Sequence, residues 1–190
     1  QALLLNTLTE KRLNLSVRKI LKAKYWMGLH SYTPVSISNL HEDLNSSADE
    51  LLHRELVKHS LTLLKNKQES VPFLNLEKQK IAYVKLGDDS GDYFLSMLKN
   101  YTKVDEIAAS NLNDLIKKLK PYSKVIVGFH KSNAHPWKSY KFKGKELVWL
   151  QEIARNKETI LDVFTSPYSL LQLKSVTNIS AILISYQNSK

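Results

Sequence analysis

The chain has 190 residues and a formal net charge of +10, from 28 Lys plus Arg against 18 Asp plus Glu. That length suits one domain with some extra and can bury a real core, and hydrophobic residues at 43% with charged residues at 24% are ordinary for a soluble globular protein. No apolar run approaches the ~18 residues of a membrane span, and the absence of cysteine excludes a disulfide framework or a thiolate metal site without fixing a compartment.

Residues 1 to 12 read as a loop or the end of a preceding helix; Gln1-Ala2-Leu3-Leu4-Leu5-Asn6 has no basic region before its apolar run and is too short for a signal peptide. Leu13, Val17, Ile20, Leu21 and Lys24 make one helical face over about 14 to 28, with Gly28 a natural stop. Residues 30 to 46, with Pro34 and many Ser and Asn, read as linker. A helix is then expected from about 47 to 65: Leu52, Leu56, Val57, Leu61, Leu63 and Leu64 form a wide apolar stripe. Ser47 is its candidate N-cap, and Asp49 and Glu50 suit the positive end of its dipole. Pro72 cannot continue a helix, so the chain turns extended there.

From residue 80 the pattern alternates. Strands are expected at 81 to 86, 103 to 107, 124 to 130, 159 to 164 and 180 to 185. Helices are expected at 92 to 100, 112 to 120, 145 to 155 and, shorter, 166 to 172. The run from Lys124 to His130 hardly alternates, as in a central strand buried on both faces. The fold class is therefore α/β: a doubly wound, mainly parallel sheet of about five strands flanked by helices, flavodoxin-like, with an N-terminal helical extension.

Two phrases carry a resemblance. Ser16-Val17-Arg18-Lys19-Ile20-Leu21-Lys22-Ala23-Lys24-Tyr25-Trp26-Met27-Gly28-Leu29 is similar to the helix that closes the N-terminal barrel of family 3 glycoside hydrolases. Thr62-Leu63-Leu64-Lys65-Asn66 followed by Val71-Pro72-Phe73 is similar to the entry into that family's C-terminal domain, in the right order. More loosely, Ala181-Ile182-Leu183-Ile184-Ser185-Tyr186 looks like a later strand of the same domain. The resemblance implies an end-of-barrel helix and linker over 1 to 46 and an α/β C-terminal domain over 47 to 190, cut short at both ends. It further implies a partner barrel on the missing part, a carbohydrate substrate for the parent, and no cofactor. An exported parent, periplasmic or secreted, suits it better than a cytoplasmic one.

Retaining glycosidases need a carboxylate nucleophile and an acid/base about 5 Å apart. In the family the nucleophile lies in the barrel, and many members supply a glutamate acid/base from a loop after the third strand. The matching loop here, 131 to 144, has no carboxylate. That departure fits the β-N-acetylglucosaminidase (β-N-acetylhexosaminidase) type, whose acid/base is a barrel histidine. No catalytic residue is therefore assigned to this chain, and the parent is expected to release terminal β-N-acetylglucosamine.

The loop is still the expected ligand-facing region, because it follows the carboxyl end of a central strand. His130, His135, Trp137 and Tyr140, among four lysines, make either a sugar- or domain-facing lip or a solvated basic loop. Asp88, Asp89 and Asp92 could hold a cation, or form a turn and an acidic helix start. His53 and His59 lack the i, i+4 spacing of shared metal ligation. No metal site is assigned. Gly87 and Gly91 make no phosphate loop, which disfavours a free-standing nucleotide-type enzyme. The alternative reading is a basic module for an anionic partner such as an acidic glycan or nucleic acid. Lysines scattered along the chain and the lack of a zinc-finger, RRM or KH signature leave nucleic acid the weaker choice. The accessory-domain reading predicts exposed apolar surface near 13 to 29 and 51 to 64, or a dimer that hides it.

Overall fold

The computed structural model describes residues 7–132 and 134–187. The expectations for residues 1 to 6 and for Asn133 lie outside them. The chain divides into two compact units, Gln1–Leu52 and His53–Lys190. Among the described residues no helix is long and apolar enough to cross a membrane.

In the first unit, α1 (Glu10–Trp26) starts where the Thr9 hydroxyl accepts a hydrogen bond from the Arg12 N–H at 3.2 Å. It thus begins earlier than its apolar spacing suggests, because Thr9 caps it and Glu10 suits its dipole. It ends at Gly28, whose φ of 78° is a left-handed stop that glycine adopts freely. No residue of α1 is buried, and Val17, Ile20, Leu21, Tyr25 and Trp26 are exposed. A short helix α2 (Leu40–Leu44) interrupts the segment read as linker.

Helix α3 (Ser47–Ser60) stops short of the expected residue 65. Residues Thr62–Asn66 are instead a strand, β1, antiparallel to the strand at Ala181–Ile184. The Ser60 hydroxyl returns a hydrogen bond to Val57 O at 2.7 Å, and Thr62 Oγ1 meets the Tyr186 hydroxyl at 2.9 Å. The leucine spacing is continuous through the boundary, but pairing with a distant strand outweighs the local helical pattern.

The remaining elements follow the expected alternation: β2 (Ile81–Gly87), α4 (Asp92–Lys99), β3 (Val104–Glu106), α5 (Leu112–Leu119), β4 (Lys124–His130), α6 (Gly144–Asn156), β5 (Glu158–Phe164), a 3-10 turn (Pro167–Gln172) and β6 (Ala181–Ile184). The sheet has six strands in the order β1-β6-β5-β4-β2-β3. From β3 to β6 all pairs are parallel, and only β1 runs antiparallel. Without β1 this is the flavodoxin-like order, so the expected class holds with one more strand.

Side chains alternate between two faces. On one, Val84, Val127, Leu161 and Ile182 pack with Leu115 of α5 and Leu150 and Ile153 of α6. On the other, Ile81, Tyr83 and Ile126 pack with Leu95 of α4 and with Phe73 and Leu76 of the segment after β1. From Val125 to His130 every residue of β4 is buried, as its unalternating sequence implies.

Because Leu161 is enclosed on the better-covered face, Leu161→Ala is expected to cost about 2–5 kcal/mol in urea denaturation. Leu21→Ala, on the open face of α1, is expected to stay within about 0.5 kcal/mol.

Candidate functional site

Three parallel strands end in register at Gly87 of β2, His130 of β4 and Phe164 of β5. This carboxyl edge is where open α/β sheets hold ligands. Gly87 has a φ of 94°, and a Cβ there would fall 1.9 Å from the His130 carbonyl oxygen, so the turn needs glycine. The same carbonyl accepts the N–H groups of Asp88 and Asp89 at 3.1 and 3.3 Å. Glu146, in the first turn of α6, accepts from the Gly87 N–H at 3.2 Å and, through its other oxygen, from the Lys143 N–H at 2.7 Å. The end of β2 and the start of α6 are tied together by one carboxylate.

The four residues placed on one lip by the sequence do not stay together. His130 is a correction: it is 0% exposed and belongs to the interior. Its Nε2 lies 2.7 Å from the Tyr83 hydroxyl, and its ring stacks on Phe164 at 4.3 Å and 11°. It ends a strand buried on both faces, and alternation turns it toward α4 rather than into the loop. Burial raises the Tyr83 hydroxyl above the usual phenol range. Glycines clear the space for this pair: a Cβ on Gly128 would meet His130 Nε2 at 2.4 Å, and one on Gly91 the Tyr83 hydroxyl at 2.1 Å.

His135, Trp137 and Tyr140 do share the exposed loop. Trp137 is 85% exposed, and its ring lies parallel to that of His135 with centroids 6.4 Å apart. The loop is fixed at its far end by Phe142, which stacks on Phe129 at 3.6 Å and donates its N–H to Gln172 at 2.7 Å. Lys131, one of the four lysines, is not solvated. Its side chain is 3% exposed and its ammonium pairs with Asp88 at 2.9 Å, holding the Asp88 carboxyl below the ordinary carboxylate range. Asp88 is thus an ion-pair partner, and Asp92 opens α4.

Asp162, Glu146 and Lys131 were not singled out by sequence reasoning. A signal existed for Asp162: it is the sole charge in the apolar run Ile160-Leu161-Asp162-Val163-Phe164. It is 7% exposed, and its Oδ1 accepts a hydrogen bond from Ser185 Oγ at 2.7 Å. Burial pushes its carboxyl up to about 6, against the opposing pull of the Ser185 and Val163 hydrogen bonds. Among the described residues no group of three or more His, Cys, Asp or Glu could hold a metal ion.

No family model and no curated protein matches this sequence. Solved structures do share its fold. A beta-glucoside phosphorylase, BglX, is 18% identical with a TM-score of 0.73, over 100% of this chain and 36% of its own. A beta-glucosidase from Listeria innocua is 16% identical with a TM-score of 0.75, over 97% of this chain and 29% of its own. A fungal multi-domain GH3 beta-N-acetylglucosaminidase is 17% identical with a TM-score of 0.64, over 99% of this chain and 21% of its own. The chain therefore spans about a third or less of the proteins it resembles, and the likeness is one of fold.

Two outcomes are expected here. Tyr83→Phe leaves His130 Nε2 without its hydroxyl partner in the interior, and should lower unfolding free energy by about 1–3 kcal/mol in guanidinium titration. Asp162 favours its neutral form when folded, at about 6 against about 3.9 unfolded. Its contribution is whole below the unfolded value and lost as pH rises through about 6. Asp162→Asn should match the wild type near pH 3.5 and exceed it at pH 8 by on the order of 3 kcal/mol.

Proposed function

We propose that this chain is the noncatalytic α/β accessory domain of a family 3 glycoside hydrolase, seated against a catalytic barrel carried elsewhere in the same protein. One observation carries the reading: nearly the whole chain matches between 21% and 36% of several glycosidase-type enzymes. Two short phrases support it, Ser16 to Leu29 and Thr62 to Phe73, which stand in the order the family resemblance implies, although the second opens as strand β1 and not as the end of a helix. The open apolar side of α1, and separately Leu56 and Val57 on α3, are surfaces that a larger partner would cover.

The carboxyl edge of the sheet argues in the same direction. A retaining mechanism needs two carboxyl groups about 5 Å apart and free to act. Here Asp88 is engaged by Lys131, and Glu146 by two backbone N–H groups. The edge is built for shape, and we assign it the supporting role of a lip. His135, Trp137 and Tyr140 face outward from a basic loop, where an indole can stack on a sugar ring carried by the partner domain.

The loop's lack of carboxylates supports a parent that releases terminal β-N-acetylglucosamine, as does a fold neighbour described as a GH3 beta-N-acetylglucosaminidase. Other neighbours are beta-glucosidases, so the choice of sugar rests on the loop. The purified chain should release no nitrophenol from aryl N-acetyl-β-glucosaminide or aryl β-glucoside. Turnover that disappears in His135→Ala would place catalytic groups within this chain and sink the accessory reading.

A further inference from the structure

The amino ends of the parallel strands are in register too. Ile81 of β2 stands beside Val104 of β3 and Lys124 of β4, and Lys124 stands beside Glu158 of β5. One step before these residues come Lys103, Lys80, Ser123 and Lys157, which therefore form a row across β3, β2, β4 and β5. The backbone ties the row together, with the Ser123 N–H donating to Lys80 O at 2.8 Å. At about 4.8 Å between strands, the row is about 14 Å long. Pleat alternation turns its members toward the face that α5 covers. Lys157 makes that contact: its ammonium donates to the carbonyls of Lys120 and Tyr122, at 2.8 and 2.7 Å, just past the end of α5. Lys117 and Lys120 of that helix end extend the row.

These cations have no carboxylate of their own. Glu158 pairs with Lys124, Glu152 with Arg155 and Asp114 with Lys118. Among the described residues no ion pair includes Lys80, Lys103, Lys117, Lys120 or Lys157. Asp105, two residues along β3 from Lys103, is engaged by the Tyr122 hydroxyl at 3.0 Å. A helix dipole accounts for Lys117 and Lys120 at the end of α5. It accounts for neither Lys80 nor Lys103, which are exposed at strand starts. Gathered like charges repel, and an anionic ligand relieves the repulsion. The opposite edge mixes signs, since Lys131 there is neutralised by Asp88.

The neighbours of the lysines indicate which anion fits. Proteins that read bases use arginine forks and successive aromatic rings. Here Arg155 is tied to Glu152, and hydroxyl groups lie among the lysines: Ser123 in the row, and Thr102 and the exposed Tyr101 beside Lys103. Compact ammonium charges on flexible stems, set among hydroxyls, suit a chain of sugars that bear carboxylates.

We propose that the amino edge of the sheet, from Lys103 through Lys80 to Lys157, binds a linear acidic polysaccharide. Its carboxylates meet the ammonium row, and its hydroxyls meet Ser123, Thr102 and Tyr101. The inference does not rest on the accessory-domain reading: it uses only the strand register and the pairing of charges along one edge.

The test titrates the full chain at pH 7 and low salt into fluorescein-labelled oligogalacturonate. A maltooligosaccharide of equal length and an oligothymidylate are the other probes. Anisotropy is expected to show oligogalacturonate binding that weakens about tenfold when salt is raised fourfold. Lys80→Glu combined with Lys103→Glu should lower that affinity at least tenfold, while circular dichroism and Tm confirm the fold. Lys19→Glu combined with Lys22→Glu makes the same change in net charge on α1, and should lower it less than threefold. Equal losses from the two pairs would assign binding to overall charge and overturn the proposal. So would tighter binding of oligothymidylate than of oligogalacturonate, equal binding of the neutral maltooligosaccharide, or no binding of oligogalacturonate at all.

Discussion

The structure depends on β4 being enclosed on both sides. Its backbone is satisfied by β2 and β5, so its side chains can be apolar on each face, and they are from Val125 to Phe129. At its end the strand keeps an imidazole, and the surroundings are shaped to hold it. Gly91 and Gly128 give up their side chains, Tyr83 supplies the hydroxyl, and Phe164 supplies a flat ring. A Cβ at either glycine would collide with the Tyr83–His130 pair. The carbonyl of His130 then anchors the turn after β2. A residue that the sequence offers as a ligand contact is thus the joint between two strands and a helix.

This arrangement explains why the carboxyl edge is chemically quiet. Polar groups are plentiful there, yet they are spent on one another. Lys131 neutralises Asp88, Glu146 gathers two backbone donors, and Gln172 holds the loop through Phe142. The loop after β4 turns aromatic and basic side chains outward: His135, Trp137 and Tyr140, with Lys138 and Lys141. Such a loop can shape the rim of a site, but it brings no carboxylate of its own. Asp162 differs in kind. It lies within the sheet, away from this edge, and a serine hydroxyl is its side-chain partner.

Much of the fold is legible in the sequence because local and tertiary preferences agree. The five parallel strands and their helices lie close to where alternation and turn residues put them, and β4 coincides with its unbroken apolar run. Strand β1 is the exception. Leu61, Leu63 and Leu64 continue a helical stripe from α3, and nothing nearby reveals that β6, more than a hundred residues later, is the partner. The site is less legible for a related reason. A histidine among lysines and aromatics looks exposed in one dimension, whereas its burial follows from pleat alternation and two remote glycines. Lys131 shows the same effect, since its charge is balanced by Asp88, 43 positions away.

The pairing of β1 with β6 also bears on how the chain is made. As it emerges from a ribosome, β1 precedes β2 to β5, but its neighbour in the sheet among the described residues is β6, which is made after all of them. Every parallel crossover from β2 to β5 can form while β1 waits with unmatched amides and carbonyls. Throughout that interval its threonine and two leucines form a sticky margin open to other nascent chains. The β1 margin is therefore closed only once β6 has been made, and the length of chain between them sets how long it stays open.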